Sequence, residues 1–258
     1  MSYSLIVDIG NSQIEFGFFS EDSLIGKTRF VTQKLASEYD NKLLKDFISK
    51  LGIKKEEIEG GMIFSVVPYL TRLVQIIIKG EIGVSLKIFD PKSVLADFKA
   101  DIDNKEEVGQ DLIADILGAI HYYGAPVVVT DLGTVTKNII IDKDGVFQGV
   151  SFFPGLTMNA RVLSDKTAQL PHIDEVQKPK MYFGKNTIDA MTSGIYYCHV
   201  ASVKRFMERT DEHFGYNFKK VITGGFANFL KDDFASPKYI VDQELVLKGM
   251  HLIYENQK

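Results

Sequence analysis

The chain has 258 residues, 45% hydrophobic and 25% charged, with a net charge of −4 and one cysteine. This is ordinary globular composition, sufficient for one large domain or two smaller ones with buried cores. The acidic balance offers no basic stripe for DNA or RNA, and a lone thiol excludes an intrachain disulfide and suits a cytoplasmic setting. No apolar run approaches the roughly 20 residues of a membrane span. The opening M-S-Y-S-L-I-V-D-I-G reaches a charge too early for a signal peptide, so none is expected.

Tyr3 to Val7 is a short apolar run ending in Asp8-Ile9-Gly10-Asn11, followed by the alternation Ile14, Phe16, Phe18, a turn, and Leu24 to Val31. Period-two patterning broken by polar turns predicts three consecutive antiparallel strands. Lys34 to Lys50 places Leu35, Leu43, Leu44, Phe47 and Ile48 at helical spacing. Gly61 to Val67 predicts a buried strand, Pro68 opens a helix running through Ile78, and Leu86 to Phe89 adds a strand. The first half therefore reads βββαβαβ. The polar stretch Asp97 to Glu107 is expected to link two lobes or to cover a cleft between them.

Helical spacing resumes at Asp111 and runs to about Tyr123. Val127 to Thr130 predicts a strand ending in Asp131-Leu132-Gly133-Thr134, and Val135 to Ile141 and Val146 to Phe153 add two more around Asp142-Lys143-Asp144-Gly145. Helices are predicted over Leu156 to Asp165, Thr187 to Glu208 and Gln243 to Glu255. Val221-Ile222 is a short strand closed by Thr223-Gly224-Gly225, which is expected to open a helix. Cys198, beside Tyr196, Tyr197 and Val200, is expected to be a packed thiol on a buried helix face.

The second half repeats the βββ opening of the first. Asp8-x-Gly10-Asn11-Ser12 and Asp131-x-Gly133-Thr134-Val135 each follow an apolar strand and precede an alternating one, about one domain length apart. Two copies of a large unit exclude a solenoid. The simplest architecture is a duplicated α/β unit, divided as residues 1–110 and 111–258, with facing hairpin turns.

Glycine in such a turn lets backbone approach a phosphate, and the turn amides with the Asn11, Ser12 or Thr134 side chains can donate to phosphate oxygens. Aspartate supplies an oxygen for the magnesium or potassium that accompanies ATP. Each tetrapeptide alone is also a common hairpin turn; the matched pair favours the phosphate reading. Thr223, Gly224 and Gly225 either let a purine lie against backbone or form a plain connection. Asp111, after Gly109 and Gln110, either accepts a hydroxyl proton during phosphoryl transfer or faces the helix dipole as a first-turn acid. Thr187 is a ligand contact or part of a helix cap with Asn186 and Asp189. The five histidines show no metal spacing.

In this order the motifs resemble the type III pantothenate kinases, a family also labelled Bvg accessory factor-like. The matching pieces are D-I-G-N-S at Asp8, S-V-V-P at Ser65, G-Q-D at Gly109, D-L-G-T-V-T at Asp131 and F-F-P-G-L at Phe152. T-A-Q-L-P at Thr167, G-K-N-T at Gly184, S-G-I at Ser193, T-G-G at Thr223 and L-V-L-K-G at Leu245 follow, so the likeness runs almost end to end. It implies two duplicated ribonuclease H-like domains of the actin, Hsp70 and sugar kinase type with ATP in an interdomain cleft. It further implies phosphorylation of pantothenate at the start of coenzyme A synthesis, a homodimer, a magnesium requirement and activation by potassium or ammonium (K+ or NH4+). By the same likeness Asp8, Gly10, Asn11, Ser12, Gly133 and Thr134 bind ATP phosphates, Asp8 serving Mg2+-ATP. Asp131 holds the monovalent cation, Asp111 is the general base, and Thr187 reaches pantothenate bound by the neighbouring subunit.

Four residues depart from the family pattern. Leu112 stands where the family has arginine, whose fork pairs bidentately with a carboxylate. Ile102 and Lys105 align with a family tyrosine and proline, also on the substrate side, and Lys137 replaces a threonine beyond the second phosphate turn. Nucleotide binding is thus expected to persist, with Gly109, Gln110, Asp111, Leu112, Ile102 and Thr187 lining the substrate site. Pantothenate recognition could then rest on another cation such as Lys105. The alternatives are a kinase for a different small hydroxylated substrate and a catalytically weak nucleotide-binding regulator.

Overall fold

The computed structural model describes residues 2–32 and 41–258. Its strands form two five-stranded sheets, ordered β3-β2-β1-β4-β5 and β8-β7-β6-β9-β10. In the first, β1 (Tyr3–Ile9), β2 (Gln13–Ser20) and β3 (Ser23–Val31) form an antiparallel meander, and β4 (Ile58–Ser65) and β5 (Lys87–Ile88) extend it in parallel from β1. In the second, β6 (Val127–Leu132), β7 (Val135–Ile141) and β8 (Phe147–Pro154) repeat the meander, and β9 (Lys219–Thr223) and β10 (Tyr239–Val241) repeat the parallel extension. Order and strand sense match position for position, so the duplication expected from the two Asp-x-Gly turns is present in the backbone.

Two compact units contain these sheets. The first comprises residues 1–98, 103–118 and 245–258; the second, residues 99–102 and 119–244. The expected boundary at 110/111 falls inside a helix, α4 (Gln110–Tyr123), whose residues are shared between the units. The polar stretch is likewise divided, and its Ala100 bridges to Phe147 at the start of β8.

In the first unit, α1 (Asn41–Lys50) and α2 (Pro68–Ile82) cover the sheet around a core that includes Leu5, Val7, Phe16, Ile63, Val74 and Ile78. The beginning of the helix expected from Lys34 lies outside the described residues. Proline starts α2 as predicted, and Gly83 in the left-handed region stops it. The strand expected from Gly61 begins earlier, at Ile58, with β1 alongside. A short α3 (Lys92–Leu95) precedes α4. The C-terminal α7 (Leu245–Glu255) belongs to this unit: the His251 ring stacks on Phe19 at 4.1 Å, and its two nitrogens bond Ser4 Oγ and the Glu21 carbonyl.

In the second unit, α5 (Leu156–Asp165) and α6 (Thr187–Phe214) pack on β6 to β9. Strand β6 is buried at every position, the signature of a central strand covered on both faces. Helix α6 starts where Asn186 accepts from the Asp189 amide and runs past the predicted Glu208 to Gly215 in the left-handed region. Its buried stripe contains Ile195, Tyr196, His199, Val200 and Val203. Cys198 falls off that stripe and is exposed, contrary to the expectation of a packed thiol. Adjacent apolar residues misled because two of them, Tyr196 and Val200, bracket the opposite side of the turn.

His199 gives one stability prediction. It is 3% exposed, its Nε2 lies 3.1 Å from Thr136 Oγ1, and Nδ1 has no hydrogen-bond partner among the described residues. Burial lowers its pKa to about 4, so the folded ring stays neutral where an unfolded histidine takes a proton. A depressed folded pKa means stability is full above the unfolded value of about 6.5 and is lost as pH falls toward 4. Denaturant unfolding should show a loss of about 2 kcal/mol from this group between pH 7 and 5. His199→Gln should flatten that slope; an unchanged slope would remove His199 as its source.

Candidate nucleotide and substrate site

In each unit the Asp-x-Gly turn lies at the carboxyl end of a central strand, where open α/β sheets bind ligands. In the first, β1 leads through half-buried Asp8 into the exposed tip Asn11-Ser12. Gly10 N bonds Gln13 O at 2.9 Å, Thr32 Oγ1 donates to Gly10 O at 2.8 Å, and Thr32 N bonds Ser12 O at 3.0 Å. These contacts close the tip and hold its shape. Thr32 escaped sequence reasoning, since its only signal is the register of β3 beside β2.

Asp8 pairs in register with Glu15 across β2, and Glu15 with Arg29 across β3. Arg29 grips the Glu15 carboxylate through Nε (2.8 Å) and Nη2 (3.2 Å), with Lys27 at 3.5 Å. Bidentate pairing of this kind fixes both side chains. Two acids thus occupy neighbouring positions on adjacent strands.

The end of β4 joins the same cluster. Ser65 N donates to Gln110 Oε1 at 3.0 Å, Val66 N bonds Ile9 O at 3.1 Å, and Thr71 Oγ1 donates to Ser65 Oγ at 2.7 Å. The S-V-V-P and G-Q-D segments, far apart in sequence, are therefore in contact. Asp111 follows in the first turn of α4, half-buried, with Oδ1 accepting the Leu112 amide at 2.9 Å. A Cβ on Gly109 would lie 2.7 Å from Asp111 Oδ1, so only glycine leaves the carboxylate in this rotamer. Leu112 is buried, 6% exposed.

In the second unit, Asp131 is the penultimate residue of β6 at 6% exposure, and Gly133 and Thr134 form the tip, Thr134 exposed. Thr223 ends β9 in register with Asp131, fully buried, its hydroxyl without a hydrogen-bond partner among the described residues. Gly224 (φ 92°) folds back on β6: a Cβ there would meet Asp131 Oδ1 at 2.2 Å and Leu132 N at 2.6 Å. Gly225 is exposed. No α-helix follows, contrary to expectation. The chain instead turns, with Phe226 N on Leu132 O and Ala227 N on Gly224 O, before a 3-10 turn at Lys231–Phe234. Thr187 is exposed at the first position of α6, whose cap is Asn186; Ile102 is half-buried.

One residue transforms this second cluster. Lys137, the register partner of Asp131 on β7, places Nζ 2.6 Å from Asp131 Oδ2. The hairpin register could have revealed this: with Leu132 opposite Thr136, positions 131 and 137 must face each other.

The sequence profile of type III pantothenate kinase matches residues 4–209. A type III pantothenate kinase of Brevibacillus brevis is 33% identical over 255 residues, spanning 98% of this chain and 99% of the relative. The chain belongs to the type III pantothenate kinase family. Solved structures share its fold at lower identity. A protein described as a Baf family transcriptional activator from Campylobacter jejuni gives a TM-score of 0.58 at 18% identity, over 98% of both chains. The activator of 2-hydroxyisocaproyl-CoA dehydratase from Clostridium difficile, with bound ADPNP, gives 0.53 at 12% identity over 99% and 97%. A Sinorhizobium meliloti protein described as a 2-dehydro-3-deoxygalactonokinase gives 0.55 at 12% over 98% and 96%. These neighbours carry the actin, Hsp70 and sugar kinase fold, and the paired five-stranded sheets here are the same duplicated design. Leu112, expected to line the substrate site, is buried. Lys105, the candidate substitute cation, is tied by Nζ to Phe98 O at 2.6 Å.

Proposed function

We propose that this chain transfers the γ-phosphoryl group of ATP to the primary hydroxyl of pantothenate, giving 4'-phosphopantothenate and ADP at the entry to coenzyme A synthesis. The observation that carries the reading is a family match combined with strand-end aspartates, Asp8 and Asp131, at equivalent places in two duplicated sheets. Asp8, Gly10, Asn11 and Ser12 hold ATP phosphates from the first unit; Gly133 and Thr134 from the second; Thr223, Gly224 and Gly225 contact the adenosine. Asp111 accepts the proton of the attacking hydroxyl, with Gly109, Gln110, Leu112, Ile102 and Thr187 around the acceptor.

Magnesium fits the first cluster. Among the described residues no group of three or more His, Cys, Asp or Glu side chains could hold a metal, and magnesium commonly binds one or two carboxylates together with substrate phosphates. Asp8 is the carboxylate for that mode, and the ion would neutralise charge on the transferring phosphoryl group. The residues around Asp131 do not fit a free monovalent cation, because a lysine ammonium already bonds that carboxylate.

A homodimer is supported by apolar side chains left in solvent before and at the start of α6, with Tyr182 76%, Phe183 58% and Ile188 54% exposed. Tyr182 and Phe183 line a groove of about 620 Å³ that also meets Tyr197 and Cys198. Light scattering should give twice the chain mass of 29.0 kDa. No helix among the described residues is long and apolar enough to cross a membrane.

The purified chain with ATP, magnesium and either pantothenate or a panel of small alcohols tests the reading. Phosphate transfer to pantothenate supports it. Transfer only to another alcohol supports the second reading, a different hydroxylated substrate, which buried Leu112 favours; ATP binding without transfer indicates a regulator. Leu112→Arg should not restore a family pocket. Forcing a guanidinium into this packed position should cost about 2 kcal/mol or more of stability. A gain in pantothenate affinity without loss of stability would show that space for the fork exists.

A further inference from the structure

We propose that Lys137 is a built-in monovalent cation: its ammonium takes the place at Asp131 where the family likeness puts potassium or ammonium, so this chain needs neither. The activity arm of the proposal rests on the kinase reading above; its binding arm does not.

The geometry is a row of three residues across one face of the second sheet. Lys137 on β7, Asp131 on β6 and Thr223 on β9 are successive register partners. The Lys137 and Asp131 side chains are 15% and 8% exposed, and their 2.6 Å contact is a charge-assisted bond in a nearly dry place. A buried carboxylate is costly unless it is paired or well hydrogen-bonded. Here the partner is covalently part of the strand.

The first sheet supplies the control. Asp8 occupies the equivalent strand end, and its register partner across the hairpin is Glu15, an acid, whose own charge is met by Arg29 and Lys27. The same backbone position thus carries a negative charge in one repeat and a positive charge in the other. A lysine at this register position is therefore a feature of the second hairpin and not of the duplicated unit.

A primary ammonium offers one positive charge and three N–H donors, the chemistry of an ammonium ion delivered on a stem. Tethering makes the interaction intramolecular, at an effective concentration dissolved salt cannot match. A potassium ion would have to share the Asp131 carboxylate with a positive charge at hydrogen-bond distance, or expel it. Replacing the lysine by threonine would leave the Asp131 carboxylate, the Thr223 hydroxyl, which has no hydrogen-bond partner among the described residues, and a new hydroxyl on one face, an oxygen set for a free cation.

The test compares thermal unfolding of the full chain in potassium chloride and choline chloride at equal ionic strength. Wild-type midpoints should coincide, whereas Lys137→Thr should melt higher in potassium, saturably. In the kinase assay, wild-type activity should be the same in both salts. Lys137→Thr activity should fall about 30-fold or more in choline, the effect of unpairing a buried charge, and recover in potassium or ammonium. Lys137→Arg should remain indifferent to potassium. A wild-type midpoint raised by potassium, or a folded Lys137→Thr that ignores it, overturns the proposal. Should Lys137→Thr fail to fold, the wild-type and Lys137→Arg melts decide, and should no phosphate reach pantothenate, the melts still decide the cation question separately from the kinase reading.

Discussion

Asp111→Asn should lower kcat for phosphoryl transfer by about 10²- to 10⁴-fold, the usual contribution of a positioned general base. That range corresponds to roughly 3–5.5 kcal/mol of transition-state stabilisation. The substitution isolates chemistry from structure because asparagine keeps Oδ1, so the 2.9 Å bond from the Leu112 amide survives and the first turn of α4 stays in place. The Ser65 to Gln110 contact is untouched. Affinity for a non-hydrolysable ATP analogue and the melting temperature should match wild type. A kcat within a few-fold of wild type would reduce Asp111 to a first-turn acid facing the helix dipole.

The second large effect lies in the other unit. Gly224→Ala should destabilise the protein by about 3 kcal/mol or more, since it combines left-handed backbone strain with overlap in a packed place. The new Cβ would meet the Asp131 carboxylate and the Leu132 backbone at 2.2–2.8 Å, and neither is the free end of a flexible chain. Relief would come by moving the Thr223 to Gly225 turn or by pushing Asp131 away from Lys137. Either movement disturbs the proposed adenosine contact, so nucleotide affinity should fall together with the unfolding midpoint. A variant that melts and binds like wild type would show that the turn is loose and that Asp131 does not depend on it.

The parts of the fold that were legible in the sequence are those governed by local rules. Strands β1 to β3 and β6 to β8 announce themselves by period-two patterning between polar turns, and Pro68 and Asn186 mark helix starts through their own chemistry. What was illegible depends on partners distant in sequence. Strand β10 has only three half-buried residues and exists because β9 is beside it. The exposure of Cys198 is set by which side of α6 meets the second core, and the turn after Thr223 is shaped by β6 underneath it. In the candidate site, residue types and strand-end positions could be read directly. The two contacts that matter most for mechanism, Gln110 with Ser65 and Lys137 with Asp131, required strand register and the packing of α4.

The return of the last helix to the first unit bears on how this protein can be made. Residues 1–98 leave the ribosome well before residues 245–258, so for most of synthesis Phe19 and Ser4 wait without the histidine that later stacks on one and bonds the other. The second unit, almost one continuous stretch, can finish earlier, although chains usually complete their N-terminal portion first. A fragment ending at Glu244 should therefore retain a cooperative second unit and expose an unfinished first one, so removal of residues 245–258 would harm the unit farthest from them in sequence.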